Sequence, residues 1–460
     1  MKYQSTRGGI ADLTFIDAVM TGLAPDGGLL VPQTIPDVSG ALADWQDHTY
    51  AELAFEIIRR FSDDIDDDTL RALVDQSYET FTHEDVTPLV AVDDFHVLEL
   101  FHGPTLAFKD VALQLLGNLF SHVLGERGGS LNILGATSGD TGSAAIAGVR
   151  GKPGINIFVM FPEGRTSPVQ ERQMTTVLDD NVHNIAVEGS FDDCQSILKA
   201  TFSDLEFKSA YQLGAVNSVN WARVMAQIVY YFSAWYSLGR PERFDVAVPT
   251  GNFGNIFAGY LAKRMGLPIR RLILATNAND ILKRFFATGL YERGEVNFTT
   301  SPAMDIQVAS NFERYLYYQF DCNTELVSNF MGSFQQTGKA RFDFNTPGFD
   351  DTFVAGTTSD EETLAMIRRG VTEFDYLMDP HTAVGVHVGL AHREPGIPLV
   401  CLSTAHPAKF EDAIAEALPG QEVVHPTLAA LAALPTRKQL LRADAGTIKQ
   451  FIADTVSGVP

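Results

Sequence analysis

Lys109 sits in His102-Gly103-Pro104-Thr105-Leu106-Ala107-Phe108-Lys109-Asp110, a Gly-Pro turn with apolar flanks. A strongly amphipathic stretch follows and predicts a helix to about Leu124. At a helix start the macrodipole and desolvation beside Phe108 both lower an amine's pKa. A neutral amine is the nucleophile that Schiff-base chemistry needs. A lysine at a helix start can equally be a solvated end residue.

Three more segments place small or hydroxylated residues where a strand gives way to a helix. Leu131 to Leu134 runs into Gly135-Ala136-Thr137-Ser138-Gly139-Asp140-Thr141-Gly142-Ser143, with a helix from about Ala144. Small residues let backbone N–H groups approach a ligand, and a helix N-terminus favours an anion. The same residues would also make a tight turn capped by Ser and Thr. Asp245 to Val248 runs into Pro249-Thr250-Gly251-Asn252-Phe253-Gly254-Asn255 and a helix from Ile256 to Met265. Gly251 and Gly254 allow the backbone to wrap a phosphate. The loop is neither a Walker A motif nor GxGxxG, and a generic tight turn is the alternative. Pro398 to Leu402 runs into Ser403-Thr404-Ala405-His406-Pro407, whose two hydroxyls either cap the next helix or bond a ligand heteroatom.

Such junctions need a scaffold of strands alternating with helices. From about residue 90 the pattern supplies one, with strands predicted at Val97 to Leu100, Leu131 to Leu134, Ile155 to Met160, Asn184 to Val187, Asp245 to Val248, Arg271 to Ala275 and Leu399 to Leu402. Helical stretches lie between most of them. The alternation argues for an α/β fold with a mainly parallel sheet, whose ligands sit at the carboxyl ends of the strands. Residues 1 to about 90 read as a mainly helical front section, with helices over Tyr50 to Phe61 and Thr69 to Phe81. Between those helices, Ser62-Asp63-Asp64-Ile65-Asp66-Asp67-Asp68 lacks the Gly and final Glu of a calcium loop and reads as a helix cap.

The balance of 34 Lys+Arg against 57 Asp+Glu leaves the 460-residue chain at −23, which repels nucleic acid and anionic lipid. A small anion could still bind in a local pocket of N–H groups. Cys194, Cys322 and Cys401 are sparse and far apart, which suits buried free thiols in a reducing compartment rather than disulfides. There is no CxxC or HExxH metal motif, no signal-peptide pattern at the start, and no apolar run of the roughly 20 residues a membrane span needs. A cytoplasmic protein without a bound metal is expected.

Together these segments resemble the threonine synthase family of pyridoxal-phosphate (PLP) enzymes. HGPTLAFKD is similar to its lysine motif, GATSGDTGSAA to its substrate and cofactor loop, GNFGN to its phosphate cup, LSTAHPAKF to its pyridine-nitrogen strand, and PDGGLLVP to its N-terminal region. The resemblance covers nearly the whole chain and favours the longer-chain branch. It implies PLP fold type II, with two open, mainly parallel sheet domains bearing helices on both faces. A helical N-terminal domain over 1–90 would precede a catalytic region over 91–460, with a smaller mobile subdomain at roughly 131–240.

The resemblance also implies roles. Lys109 would carry PLP as a Schiff base and act as the base once released. Gly251, Asn252, Phe253, Gly254 and Asn255 would hold the PLP phosphate. Thr404 would bond the pyridine nitrogen and leave it largely unprotonated. Ser138, Gly139 and Thr141 would receive the substrate carboxylate. Asp140 stands where many relatives of this fold carry Asn beside the cofactor's 3′-oxygen. Arg165 and Arg223 are candidates for the substrate phosphate, weighed against ordinary surface arginines. The implied reaction turns O-phospho-L-homoserine and water into L-threonine and phosphate, the last step of threonine biosynthesis, with the smaller domain closing over the substrate. The rivals are a serine or threonine dehydratase, a phospho-lyase that never adds water, and a binding protein without catalysis. The oligomeric state, monomer or homodimer, is left open.

Overall fold

The computed structural model describes residues 1–137, 139–345 and 349–458. The chain divides into two compact units. One combines Met1–Ala112 with Ser218–Val423, and the other combines Leu113–Asn217 with the segment from Val424 onward.

The first unit is built on a six-stranded sheet in the order Phe353–Thr357, Ile269–Thr276, Phe244–Pro249, Leu399–Ser403, Phe95–Glu99, Leu89–Val92. Only the last pair is antiparallel. Every residue of Phe244–Pro249 is buried, and all but Asp245 are apolar, as suits a strand covered on both faces; the Asp245 carboxylate is paired with Arg270. Ala247, Ile273 and Cys401 of the sheet form a core with Val384 and Val388 of the helix Pro380–His392. That helix lies close on the sheet. A Cβ at Gly385 would stand 3.1 Å from Pro249 Cδ, and one at Gly389 would stand 2.9 Å from the Ala247 Cβ. The front of this unit holds the helices Phe15–Thr21, Tyr50–Ile58 and Asp67–Tyr78, the second and third ending three residues before the expected limits. The acidic run does cap a helix, since Asp66 accepts the Thr69 N–H at 3.0 Å.

The second unit carries an all-parallel sheet in the order Gln439–Arg442, Val182–Glu188, Ile155–Pro162, Leu131–Ala136, Leu213–Gly214. Its core joins Leu134, Phe158 and Ile185 to Cys194, Ile448 and Ile452. Among the described residues no helix is long and apolar enough to cross a membrane.

The front section has its helices and also holds a strand pair, because Tyr3–Ser5 and Leu30–Pro32 pair antiparallel across 24 intervening residues, too far apart for a turn signal. Two expectations need correction. Cys194 and Cys401 are buried, but Cys322 is exposed, following the end of the helix Phe312–Gln319. The lysine helix, Lys109–Arg127, is not amphipathic. Residues 111–120 are all buried, including the polar Gln114 and Asn118. Those two residues suggest a solvent face, but Asn118 Oδ1 takes the Lys152 ammonium at 2.5 Å. A Cβ on Gly117 would collide with the Gly148 carbonyl at 1.9 Å, so another helix, Asp140–Val149, touches this one backbone to backbone.

Candidate active site

The lysine loop and the Thr404 strand are stitched together. The Phe108 N–H donates to the Thr404 carbonyl at 2.9 Å and the His406 N–H to the Leu106 carbonyl at 3.1 Å, with Ala107 and Ala405 in an antiparallel bridge. Leu106 takes the left-handed conformation, φ 60°, to make the turn. Asp110, fully buried, fixes the loop from inside by accepting the Thr105 N–H at 2.8 Å and the Thr105 hydroxyl at 2.7 Å. Burial pushes its carboxyl up to about 6, against the pull of those hydrogen bonds. The buried Lys409 ammonium donates to the Thr105 carbonyl at 2.8 Å. Lys109 is thereby set half-buried at the first residue of its helix, its Nζ 5.9 Å from the centre of the Phe108 ring.

The 251–255 loop follows Phe244–Pro249 and opens the helix Gly254–Arg264. Phe253 is left-handed, φ 65°, and its ring packs edge-on to Phe312 at 5.3 Å. None of the five N–H groups from Gly251 to Asn255 donates to an acceptor among the described residues. Asn255 Oδ1 accepts the hydroxyls of Tyr230 at 2.5 Å and Tyr231 at 2.9 Å, while its buried Nδ2 has no partner among the described residues. A Cβ on Gly251 would stand 2.8 Å from the Ala303 carbonyl oxygen, so only glycine fits there. Open amides, an unspent buried amide NH₂ and a helix N-terminus make a cradle that suits a phosphate.

Thr404 is 6% exposed, and its hydroxyl has no partner among the described residues. It is therefore available to a ligand nitrogen. Arg223 lies in the first turn of the helix Trp221–Ser237 and is 4% exposed, and burial pushes its guanidinium down to about 10. It is not a surface arginine. Gln227 Nε2 donates to the Arg223 carbonyl at 2.7 Å, and Gln227 Oε1 lies 3.2 Å from the Tyr230 hydroxyl oxygen, whose hydrogen goes to the nearer Asn255 Oδ1. Positions 223, 227 and 230 share one helix face, with Arg223 about 10 Å along the axis from Tyr230. The start of this helix is tied to the cradle, because Asn311 Nδ2 donates to the carbonyls of Ser218 at 3.1 Å and Asn252 at 3.2 Å. Asn311 is a residue that no sequence signal singled out.

The remaining candidates belong to the other unit. Ser138 lies outside the described residues. Gly139, φ 150°, is the N-cap of Asp140–Val149, and Thr141 is half-buried in its first turn. Asp140 is buried, and its Oδ1 accepts Gln170 Nε2 at 2.9 Å. Gln170 was not foreseen. Thr137 Oγ1 already accepts the N–H groups of Gly139 at 2.9 Å and Gly142 at 3.0 Å. Arg165 is exposed in the turn between Ile155–Pro162 and Pro168–Thr175. Among the described residues no group of three or more His, Cys, Asp or Glu could hold a metal.

Comparison with known proteins gives the family. Residues 2–78 match "Threonine synthase N terminus", 80–328 match "Pyridoxal-phosphate dependent enzyme", and 382–452 match "Threonine synthase, C-terminal". A threonine synthase of Schizosaccharomyces pombe is 47% identical over 91% of this chain and 89% of its own length. One from Methylobacillus glycogenes is 46% identical over 99% of this chain and 100% of its own. The crystal structure of PLP-bound threonine synthase from Brucella melitensis superposes with a TM-score of 0.95 at 44% identity, covering 99% of each chain. A lysine loop stitched to a hydroxyl-bearing strand end, a phosphate-sized cradle in the same unit and near-complete likeness in sequence and fold lead to one conclusion: the chain belongs to the threonine synthase family of PLP-dependent lyases.

Proposed function

We propose that this chain converts O-phospho-L-homoserine and water into L-threonine and phosphate in the cytoplasm. The observation that carries the reading is the hydrogen bond from the Phe108 N–H to the Thr404 carbonyl at 2.9 Å, which joins the backbone next to Lys109 to the residue whose hydroxyl would meet a pyridine nitrogen. The open amides of 251–255 and Asn255 Nδ2 would hold the cofactor phosphate, and Lys109 would hold its aldehyde carbon. When bound, PLP withdraws electrons from the substrate's α-carbon and makes its protons removable.

The protein's own groups divide the remaining work. Lys109, when not bonded to the cofactor, would be an amine on a flexible stem able to move protons at Cα, Cβ and Cγ in turn. Thr404 is a neutral partner, and a neutral partner leaves the ring nitrogen largely unprotonated, which moderates how much charge the ring absorbs. The helix start at Gly139 and Thr141 would take the substrate carboxylate. Asp140, held by Gln170, keeps a carboxylate beside that start. Arg223 would take the leaving phosphate, because its planar fork pairs two oxygens at once and it is buried in the first turn of its helix rather than spread on the surface. Arg165, exposed on its turn, is the weaker candidate.

Product identification tests the reading. Purified protein given PLP and O-phospho-L-homoserine should release threonine and phosphate in equal amounts. Release of 2-oxobutyrate, ammonia and phosphate would instead identify a phospho-lyase that adds no water at Cβ and loses its amine by imine hydrolysis, and turnover of serine or threonine alone would identify a dehydratase.

A further inference from the structure

Behind the residues that would meet the cofactor, one buried carboxylate–imidazole pair reaches both ends of its site. Asp379 is fully buried and caps the helix Pro380–His392. It accepts the N–H groups of His381 at 2.9 Å and Thr382 at 3.3 Å, His381 Nδ1 at 2.8 Å, and the Thr382 hydroxyl. His381, 3% exposed, accepts the Ala303 N–H at its Nε2 at 3.2 Å. That assigns a ring hydrogen to Nδ1, which donates to Asp379, and the acceptor role to Nε2. Thr382 spends its hydrogen on Asp379, so its oxygen accepts the Ser403 hydroxyl at 2.9 Å. The chain of bonds runs Ser403, Thr382, Asp379, His381, Ala303, and every donor points towards the one carboxylate.

Its two ends are the informative part. Ser403 directly precedes Thr404. Ala303 lies in the 3-10 turn Pro302–Met304, and its carbonyl is the group 2.8 Å from where a Cβ on Gly251 would stand. A buried carboxylate and imidazole cost desolvation that apolar residues of the same size would avoid. The helix carrying them is clamped to the sheet by Gly385 and Gly389, so the pair is a fixed reference.

We propose that His381, oriented by Asp379, is a positioning residue that sets the 302–304 turn against Gly251 and, through Thr382 and Ser403, registers the phosphate cradle with the Thr404 end. This rests on the reading that 251–255 and Thr404 hold PLP. The test compares holoenzymes of His381→Asn and His381→Gln. Asn can still donate to Asp379 but is too short to reach Ala303, whereas Gln carries an acceptor out to it. The Asn variant should bind PLP at least tenfold more weakly in equilibrium dialysis and shift the ³¹P resonance of the bound cofactor. Its KM for O-phospho-L-homoserine at saturating PLP should change less than threefold. The Gln variant should recover most of the affinity and the original resonance. Wild-type affinity and resonance in His381→Asn, or no recovery in His381→Gln, would overturn the proposal. Should the Asn variant not fold, Thr382→Val breaks the other arm of the chain. A shifted absorbance maximum of the bound cofactor there supports the proposal, and an unchanged maximum with unchanged affinity refutes it. Gly251→Val run alongside separates the two readings. If it keeps PLP, the cradle reading fails. If it loses PLP while His381→Asn does not, the cradle stands and the role of His381 falls.

Discussion

The two strand-to-helix junctions at 137–142 and 249–255 look alike in sequence, yet they are finished differently. At 249–255 the N–H groups from Gly251 to Asn255 are left open, and the loop is braced from behind by Tyr230, Tyr231, Asn311 and the Ala303 turn. At 137–142 the Thr137 hydroxyl has already taken the N–H groups of Gly139 and Gly142. An open, braced cradle suits an anion that stays, such as a cofactor phosphate. A junction in which two of the N–H groups are already held by a side chain suits one that visits, such as a substrate carboxylate, because those two have a partner between turnovers. The difference lies in side-chain oxygens, not in the glycine spacing.

Four substitutions would break or sharpen that contrast. Lys109→Ala should abolish turnover and borohydride-trapped PLP altogether, while weak cofactor binding through 251–255 persists; label trapped on another lysine would remove Lys109 from its role. Gly251→Val drives a branched side chain into the Ala303 carbonyl, and PLP affinity measured by dialysis should fall by at least about tenfold, the scale of one lost charge-assisted contact. Arg223→Ala should lower kcat/KM for O-phospho-L-homoserine by about 1.5–3 kcal/mol, roughly ten- to a hundredfold, with PLP content unchanged. Binding of a phosphate-free analogue, followed in the same variant by spectral titration, should hardly move; equal losses for both would transfer the phosphate role to Arg165. The smallest effect belongs to Thr137→Val. Loss of the internal cap should cost about 1 kcal/mol in denaturant unfolding, with cofactor affinity intact. A loss of PLP there would erase the distinction between the two junctions.

The turns and junctions that carry Lys109, residues 251–255 and Thr404 were legible as structure because each depends on local chemistry. An apolar run ends, glycine or hydroxyl residues follow, and a helix begins, all within about ten residues. The strands followed for the same reason, with Val97 to Leu100 and Asn184 to Val187 found within two residues of Phe95–Glu99 and Val182–Glu188. Leu89–Val92, Phe353–Thr357 and Gln439–Arg442 were missed, since all three are short strands at sheet edges whose residues are mostly half-buried or exposed, so they carry little apolar pattern.

Local order in the chain therefore specified the α/β class, the junctions and the lysine, because hydrophobic period and turn chemistry act between near neighbours. Folding alone decided which of two arginines is buried, as Arg223 is and Arg165 is not. It decided that Gln114 and Asn118 lie inside rather than on a wet face. It also brought His381 to the Ala303 amide across 78 residues. Each of these depends on what packs against a side chain from a distant part of the chain, and that partner is chosen by the closing of the sheet and the covering of its faces, a long-range outcome that no window of neighbouring residues encodes.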